Sequence, residues 1–336
     1  MDDRTIGGAD TSNRPRRRNA ALDGRTVKVS VLIPTWKRPE SLARGLAALA
    51  RQERLPDELV LVVREDDAET RELLAATELP FATAIVAPPA TGVVAALNAG
   101  FDRAGGEVVA ITDDDTEPLP DWLARIERHF EAEPRLGALG GRDRIVGSDS
   151  AGAGEESLPV GRVLPFGRVT GYHHLGAGPA RPVDIVKGAN MAVRGAAIAG
   201  KRLDPDLRGT GAEHHWEIDL SLAIGAAGWK LAYDPAVEVL HHEAERFGGQ
   251  REELMSETER FDAVHNQTLV LLRNLRGRRR VVAVAYGFGF GTRADPGPVL
   301  ALETVLRRRE PAGAVLSRLR TATRARLAAL RKWRSG

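Results

Sequence analysis

Between Val27 and Thr112 the chain alternates short β-branched runs with stretches whose apolar residues recur at helical spacing. That alternation restricts the fold more than any other feature. Residues 27–33 form a valine-rich run ended by Pro34, and residues 40–52 follow with Leu42, Leu46 and Leu49 at helical spacing. The same reading predicts strands over 58–63, 83–86 and 107–112, with helices over 69–76 and 93–104 between them. Strand and helix alternating at these lengths imply an α/β fold, a mainly parallel sheet with helices on both faces.

Further along, residues 140–182 are rich in Gly, Pro and Ser, so a long irregular region suited to an acceptor loop is expected there. Residues 183–194 read as strand-like, 206–228 as a helix and 229–240 as a last strand ending at His241 and His242. Residues 257–275 and 312–334 have helical patterns, and the apolar stretch between them, 281–290, is too short to cross a bilayer, which takes about 20 residues. The polar, arginine-bearing residues 1–24 read as a disordered arm. The expected organisation is therefore an arm over 1–24, a catalytic domain over 25–245 and a basic helical extension over 246–336.

The 336 residues contain no cysteine, which excludes disulfides and thiolate zinc sites. No apolar run of signal-peptide length follows the Arg14–Arg18 cluster, so a cytoplasmic location is expected. The net charge of +2 hides a division: residues 276–336 hold 15 Lys and Arg against three acids, a surplus of 12, which leaves residues 1–275 at −10. Such a basic tail suits an anionic surface. Val315, Leu316, Leu319, Leu327 and Leu330 fall near one face of the 312–334 helix with arginines around them. Two readings follow, an interfacial helix on the inner leaflet of the plasma membrane or a helix packed on the catalytic domain. Nucleic acid is a poor fit, because aromatic residues are only 5% of the chain and no recognition motif accompanies the arginines.

The strongest chemical signal is Asp113-Asp114-Asp115, where an apolar strand meets a loop. Ligands of open α/β sheets bind beyond the carboxyl ends of the strands. Hard carboxylate oxygens there suit Mg2+ or Mn2+ bridging a diphosphate, although a bare acidic triplet is also compatible with a solvated turn.

Several stretches in fixed order carry a resemblance. Val29-Ser30-Val31-Leu32-Ile33-Pro34-Thr35-Trp36-Lys37-Arg38, Leu97-Asn98-Ala99-Gly100, the Asp113 to Asp115 triplet, Lys187-Gly188-Ala189-Asn190-Met191 and Gly228-Trp229-Lys230-Leu231 each resemble a landmark of family-two glycosyltransferases. The resemblance covers residues 27–242. It implies a GT-A nucleotide-sugar-binding fold, a nucleotide diphosphate sugar donor, a divalent cation and inversion at the sugar carbon. By it, Pro34, Thr35 and Arg38 would lie along the nucleoside, with Glu65 or Asp66 holding base or ribose; as a competing reading, those acids cap the next helix. Asn98, Asp113, Asp114 and Asn190 would complete the nucleotide-sugar site, and Asp115 with His241 would hold the metal. The general base would be Glu217, with Asp219 next and Glu213 close enough to compete.

The implied activity is metal-dependent inverting transfer of a sugar to a hydroxyl of a cell-envelope glycan or glycolipid. Two alternatives are a noncatalytic nucleotide-sugar-binding subunit of a glycan assembly complex and a sugar nucleotidyltransferase. The second normally needs a glycine-rich phosphate loop after the first strand, and residues 34–40 contain no glycine.

Overall fold

A computed structural model of the chain describes residues 26–147, 158–209, 211–242 and 255–335. The arm expected over 1–24 lies outside them. In chain order the elements are β1 (Val29–Thr35), α1 (Pro39–Leu49), β2 (Glu58–Val63), α2 (Ala68–Ala76), β3 (Ala82–Val86), α3 (Val93–Arg103), β4 (Val108–Thr112), β5 (Thr116–Pro118), α4 (Trp122–Ala132) and β6 (Leu136–Ile145). They continue with β7 (Arg162–Val163), β8 (Val169–Thr170), β9 (Arg181–Pro182), β10 (Asn190–Arg194), α5 (Gly195–Ile198), α6 (Trp216–Ala226), β11 (Lys230–His241), α7 (Glu257–Asn274), α8 (Gly277–Gly289), α9 (Pro298–Leu306) and α10 (Ala312–Ser335).

The main sheet runs in the order β3-β2-β1-β4-β10-β6-β11-β5, with β9 beside β11. Strands β3, β2, β1 and β4 are parallel neighbours, as are β6 and β11, and β10 joins the two sets by pairing antiparallel to β4 and β6. Alternation along each strand divides the core in two. Leu32, Val60, Val62 and Ile111 pack on one face with Leu97 of α3, whereas Val31, Ile33, Leu59 and Leu61 pack on the other with Leu42 and Leu46 of α1 and Phe130 of α4. Covering both faces is what makes the strand sequences apolar at nearly every position.

Two differences from the sequence reading have clear causes. The glycine-rich start of the region read as irregular is strand β6 at the centre of the sheet. A Cβ at Gly140 would lie 2.9 Å from Val186, and one at Gly141 would lie 2.0 Å from the Val237 carbonyl. Glycine here makes room for neighbours rather than for a turn. The helix expected over 206–228 begins only at Trp216, preceded by His215 in the left-handed region at φ 74°.

Asn190 fastens the junction of the two strand sets. Its side-chain oxygen accepts from Trp122 Nε1 at 2.9 Å, and its amide nitrogen donates to the carbonyls of Arg142 and Val237, each at 2.9 Å. All three contacts are internal, and the residue is 1% exposed.

Helix α7 opens with a capping box formed by Ser256 and Glu259, and packs between α6 and α10. Helix α10 meets it through Ala322 and Ala325, and these two are fully buried, as are Val315 and Ala329 on the same helix. No helix among the described residues is long and apolar enough to cross a membrane.

Replacing Asn190 with Ala should strand the Trp122 N–H and two carbonyls in the core and cost about 3 kcal/mol of stability. A denaturant midpoint measures this, and a midpoint equal to that of the unaltered chain would refute the anchoring role.

Candidate active site

The sheet delivers its polar residues to one edge. Strand β1 ends at Thr35, parallel β4 ends at Thr112, and each is followed by loop residues facing the same cleft, of about 460 Å³. The turn after β4 is built by hydroxyls: Thr116 Oγ1 donates to the Asp113 carbonyl at 2.8 Å, and Thr112 Oγ1 donates to the Ala189 carbonyl at 2.9 Å. The second bond draws the 187–189 loop before β10 up to the aspartates. At the far end of the sheet, β5 pairs antiparallel with the end of β11, His241 facing Thr116, and the His242 N–H donates to the Asp115 carbonyl at 2.9 Å. His241 is thereby fixed beside Asp115.

One candidate ligand atom from each of Asp113, Asp115 and His241 lies within 4.8 Å of the others. His241 Nε2 is 3.2 Å from Asp115 Oδ1, and its Nδ1 is 3.8 Å from Asp143 Oδ2. Burial opposes charging the imidazole, but the two carboxylates overcome it and lift His241 to about 9. Asp143 is 1% exposed and ion-paired to Lys187, and despite burial that cation holds its carboxyl well below the usual range. Two carboxylates and an imidazole form a donor set that fits Mg2+ or Mn2+. The proton that His241 carries neutralises the same charge as such an ion, so an ion entering here would release it.

Arg38 closes the other side of the acidic turn, its guanidinium donating to Asp114 Oδ1 at 2.9 Å and standing 3.6 Å from Asp115 Oδ2. Asp114 is buried, which pushes its carboxyl up to about 6, with Asp115 adding to the rise and Arg38 opposing it. Glu217, in the first turn of α6, lines the cleft with Pro34, Thr35, Arg38, the three aspartates and His241. Burial raises the Glu217 carboxyl, the charge of Asp113 acts in the same direction, and Lys187 acts against it. Trp216 reaches the cleft because its ring lies over Gly188, where an added Cβ would be 2.4 Å away.

Five sequence-predicted residues lie elsewhere. Glu65 and Asp66 are exposed and do not line the cleft, and Asp66 pairs with Arg64 at 2.7 Å. Their neighbour Asp67 is the helix cap, accepting from Thr70 N at 3.2 Å and from Lys37 N at 2.5 Å. Asn98 is bonded to the backbone of Leu203, donating at 3.0 Å and accepting at 2.9 Å, and Asn190 is the internal anchor described above. Asp219 accepts from Asn274 of α7 at 2.6 Å and does not line the cleft. Glu213 does line it, but it accepts from the Val94 N–H at 3.2 Å and so caps α3.

The structure also brings in residues that sequence reasoning missed. Arg64 lines the cleft with its guanidinium 4.6 Å from the centre of the Trp36 ring. Its position just after the end of β2 was a usable signal, since loops at strand carboxyl ends form such sites. Asp143 and Lys187 reach the site from β6 and the loop before β10; Lys187 opens one of the stretches that carry the resemblance, whereas nothing in the local sequence marks Asp143.

Residues 30–166 match the model of the family described as glycosyl transferase family 2. Over 105 residues the chain is 30% identical to YwdF of Bacillus subtilis (strain 168), described as an uncharacterized glycosyltransferase; the match takes in 31% of this chain and 39% of that relative. Among solved structures, the mannosyltransferase PcManGT from Pyrobaculum calidifontis, in complex with GDP-Man and Mn2+, aligns over 90% of this chain and 88% of its own with a TM-score of 0.56 and 18% identity. Residues 1–349 of S. aureus TarS, in complex with UDP-GlcNAc, align over 91% of this chain and 90% of that one with a TM-score of 0.56 and 12% identity. At such identities the structural likeness speaks for the fold, a mixed α/β arrangement of the GT-A type. Residues 30–166 are thus similar in sequence to glycosyl transferase family 2, and the fold that contains them is of the GT-A type.

Proposed function

We propose that the chain is a metal-dependent inverting glycosyltransferase that moves a sugar from a nucleotide diphosphate donor to a hydroxyl of a cell-envelope glycan or a lipid-linked acceptor. The observation that carries this reading is the placement of Glu217 in the same cleft as Asp113, Asp115 and His241. Relatives of the same fold support the donor class, one having been solved with GDP-Man and one with UDP-GlcNAc.

The nucleoside would lie along Pro34, Thr35 and Arg38, with the diphosphate toward the acidic turn. Asp113, Asp115 and His241 would hold the cation, which when bound supplies positive charge to the departing diphosphate. Lys187 and Arg38 add cationic groups on the cleft wall. Glu217 accepts the proton of the acceptor hydroxyl as that oxygen bonds to the anomeric carbon, while the bond from the same carbon to the diphosphate oxygen breaks. The nucleoside diphosphate leaves with the bonding pair. A base withdrawn from water is more basic than a solvated glutamate, which suits proton abstraction near neutral pH.

Asp115→Ala should lower cation-dependent binding of a nucleoside diphosphate by about tenfold or more, since it removes a charged ligand and leaves His241 without its nearer carboxylate. Calorimetry with and without Mn2+ measures it; unchanged, cation-dependent affinity would remove the metal assignment. Glu217→Gln should bind donor normally and transfer about 100-fold more slowly or worse, the range for loss of a general base. Because its carboxyl titrates above the ordinary 4.5, the acid limb of kcat/KM for the unaltered enzyme should lie above that value, activity rising as Glu217 loses its proton. An acid limb at or below it would count against Glu217 as the base.

A further inference from the structure

We infer that α9 is the docking edge of the protein, lying along the surface of a bilayer that contains anionic phospholipid. A helix on the outside of a globular domain normally turns its leucines inward. Helix α9 does the reverse. Val299, Leu302 and Leu306, spaced by three and four residues and so on one face, are 49%, 60% and 72% exposed, whereas Ala301 and Thr304 are the buried side. Of the ten large hydrophobic side chains that stand exposed among the described residues, seven lie between Val281 and Leu327. Within that set, the three side chains of α9 share one helix face, and an outward apolar stripe of this kind marks a surface that meets something apolar.

Charge selects the occupant. Arg307, Arg308 and Arg309 follow the stripe and are exposed, as is Arg293 ahead of it. The three acids of residues 276–336 are already matched: Glu303 with Arg307 at 3.2 Å, Glu310 with Arg318 at 2.6 Å and Asp295 with Arg260 at 3.0 Å. Arg326 is buried, and Arg324 and Lys332 pair with Glu257 and Asp206, but Arg276, Arg278, Arg279, Arg320, Arg331 and Arg334 are exposed, so most of the surplus of 12 faces outward. A second copy of the chain docked by the same face would bring the same surplus against it, and nucleic acid offers nothing to a leucine stripe. An anionic bilayer answers both, with headgroups for the arginines and acyl chains for Val299, Leu302 and Leu306. Since no described helix can span a membrane, the contact is along the surface.

This assigns the membrane contact to α9 rather than to the leucines of α10. Its link to a lipid-linked acceptor rests on the function proposed above, but the docking is testable by itself. The full chain is sedimented with vesicles of phosphatidylcholine mixed with phosphatidylglycerol, and with phosphatidylcholine alone. It should partition onto the mixed vesicles only, and less as salt rises from about 0.1 M to about 1 M, where the screening length falls from ~10 Å to ~3 Å. The double variant Leu302→Glu with Leu306→Glu should partition at least about tenfold more weakly. Both side chains are exposed, so its melting temperature should be unchanged. Arg308→Gln with Arg309→Gln, which leaves the stripe intact, should weaken partitioning by about tenfold. The inference is overturned if the unaltered chain stays in the supernatant, if the leucine variant sediments equally well, or if the stripe proves to hold a dimer that the same variant dissociates. Glu217→Gln should sediment like the unaltered chain, so failure of the catalytic reading and failure of docking show separately.

Discussion

The site depends on a costly arrangement: three consecutive aspartates at the tip of a buried strand, two of them almost withdrawn from water. Asp114 and Asp115 are 5% and 6% exposed. Carboxylates so placed repel one another and lose hydration, and they persist only where cations are close. Arg38 supplies one cation and a protonated His241 another. Each partner is fixed by a different part of the fold, Arg38 by the end of β1 and His241 by the pairing of β5 with β11. The acidic turn therefore acts as the point on which the two halves of the sheet are aligned.

Strand β10 makes this alignment possible. A wholly parallel sheet would deliver only strand carboxyl ends to the cleft. By running antiparallel between β4 and β6, β10 brings its amino end there, with Lys187, Gly188 and Ala189 preceding it. Lys187 then meets Asp143 from β6, and Asp143 lies behind His241, the kind of carboxylate–histidine arrangement that fixes a ligating ring. Gly188 leaves room for the Trp216 ring, which sets the first turn of α6 and with it Glu217.

What the sequence made legible, and what it hid, divides along physical lines. The strands β1, β2 and β4, the helices between them and the acidic turn were readable because each depends on local pattern and on the strand-end rule. Glu65 and Asp66 were misleading because adjacent residues after a strand cannot all face one way: Arg64 enters the cleft, the next two face solvent and Asp67 caps α2. Glu217 and Asp219 were inseparable as text, yet two residues on a helix are about 200° apart, so only one can face the cleft. Asn98 and Asn190 carry motif signals whose role here is internal hydrogen bonding, which depends on carbonyls distant in sequence. The glycines of β6 were unreadable for the same reason, since Val186 and Val237 supply the crowding.

The C-terminal helices support the acidic cleft as well as the surface. Asn266 of α7 is fully buried; its oxygen accepts from Arg208 N at 2.8 Å, and its amide donates to the carbonyls of Arg208 at 2.7 Å and His214 at 3.1 Å. Arg208 also pairs with Asp262 at 2.7 Å. The loop that leads into Trp216 and Glu217 is thus pinned by α7, and α7 is clamped by α10 through alanines that admit no gap. That close seam leaves Leu316 and Leu327 of α10 on the outside at 45% and 41% exposure, and α9 packs beside it with its own stripe outward. A continuous series of packed helix faces and buried amide bonds therefore runs from the exposed stripe through α10 and α7 to the loop before the residue assigned as base. A membrane held by α9 would act through that series on the distance and tilt of the cleft above the headgroups.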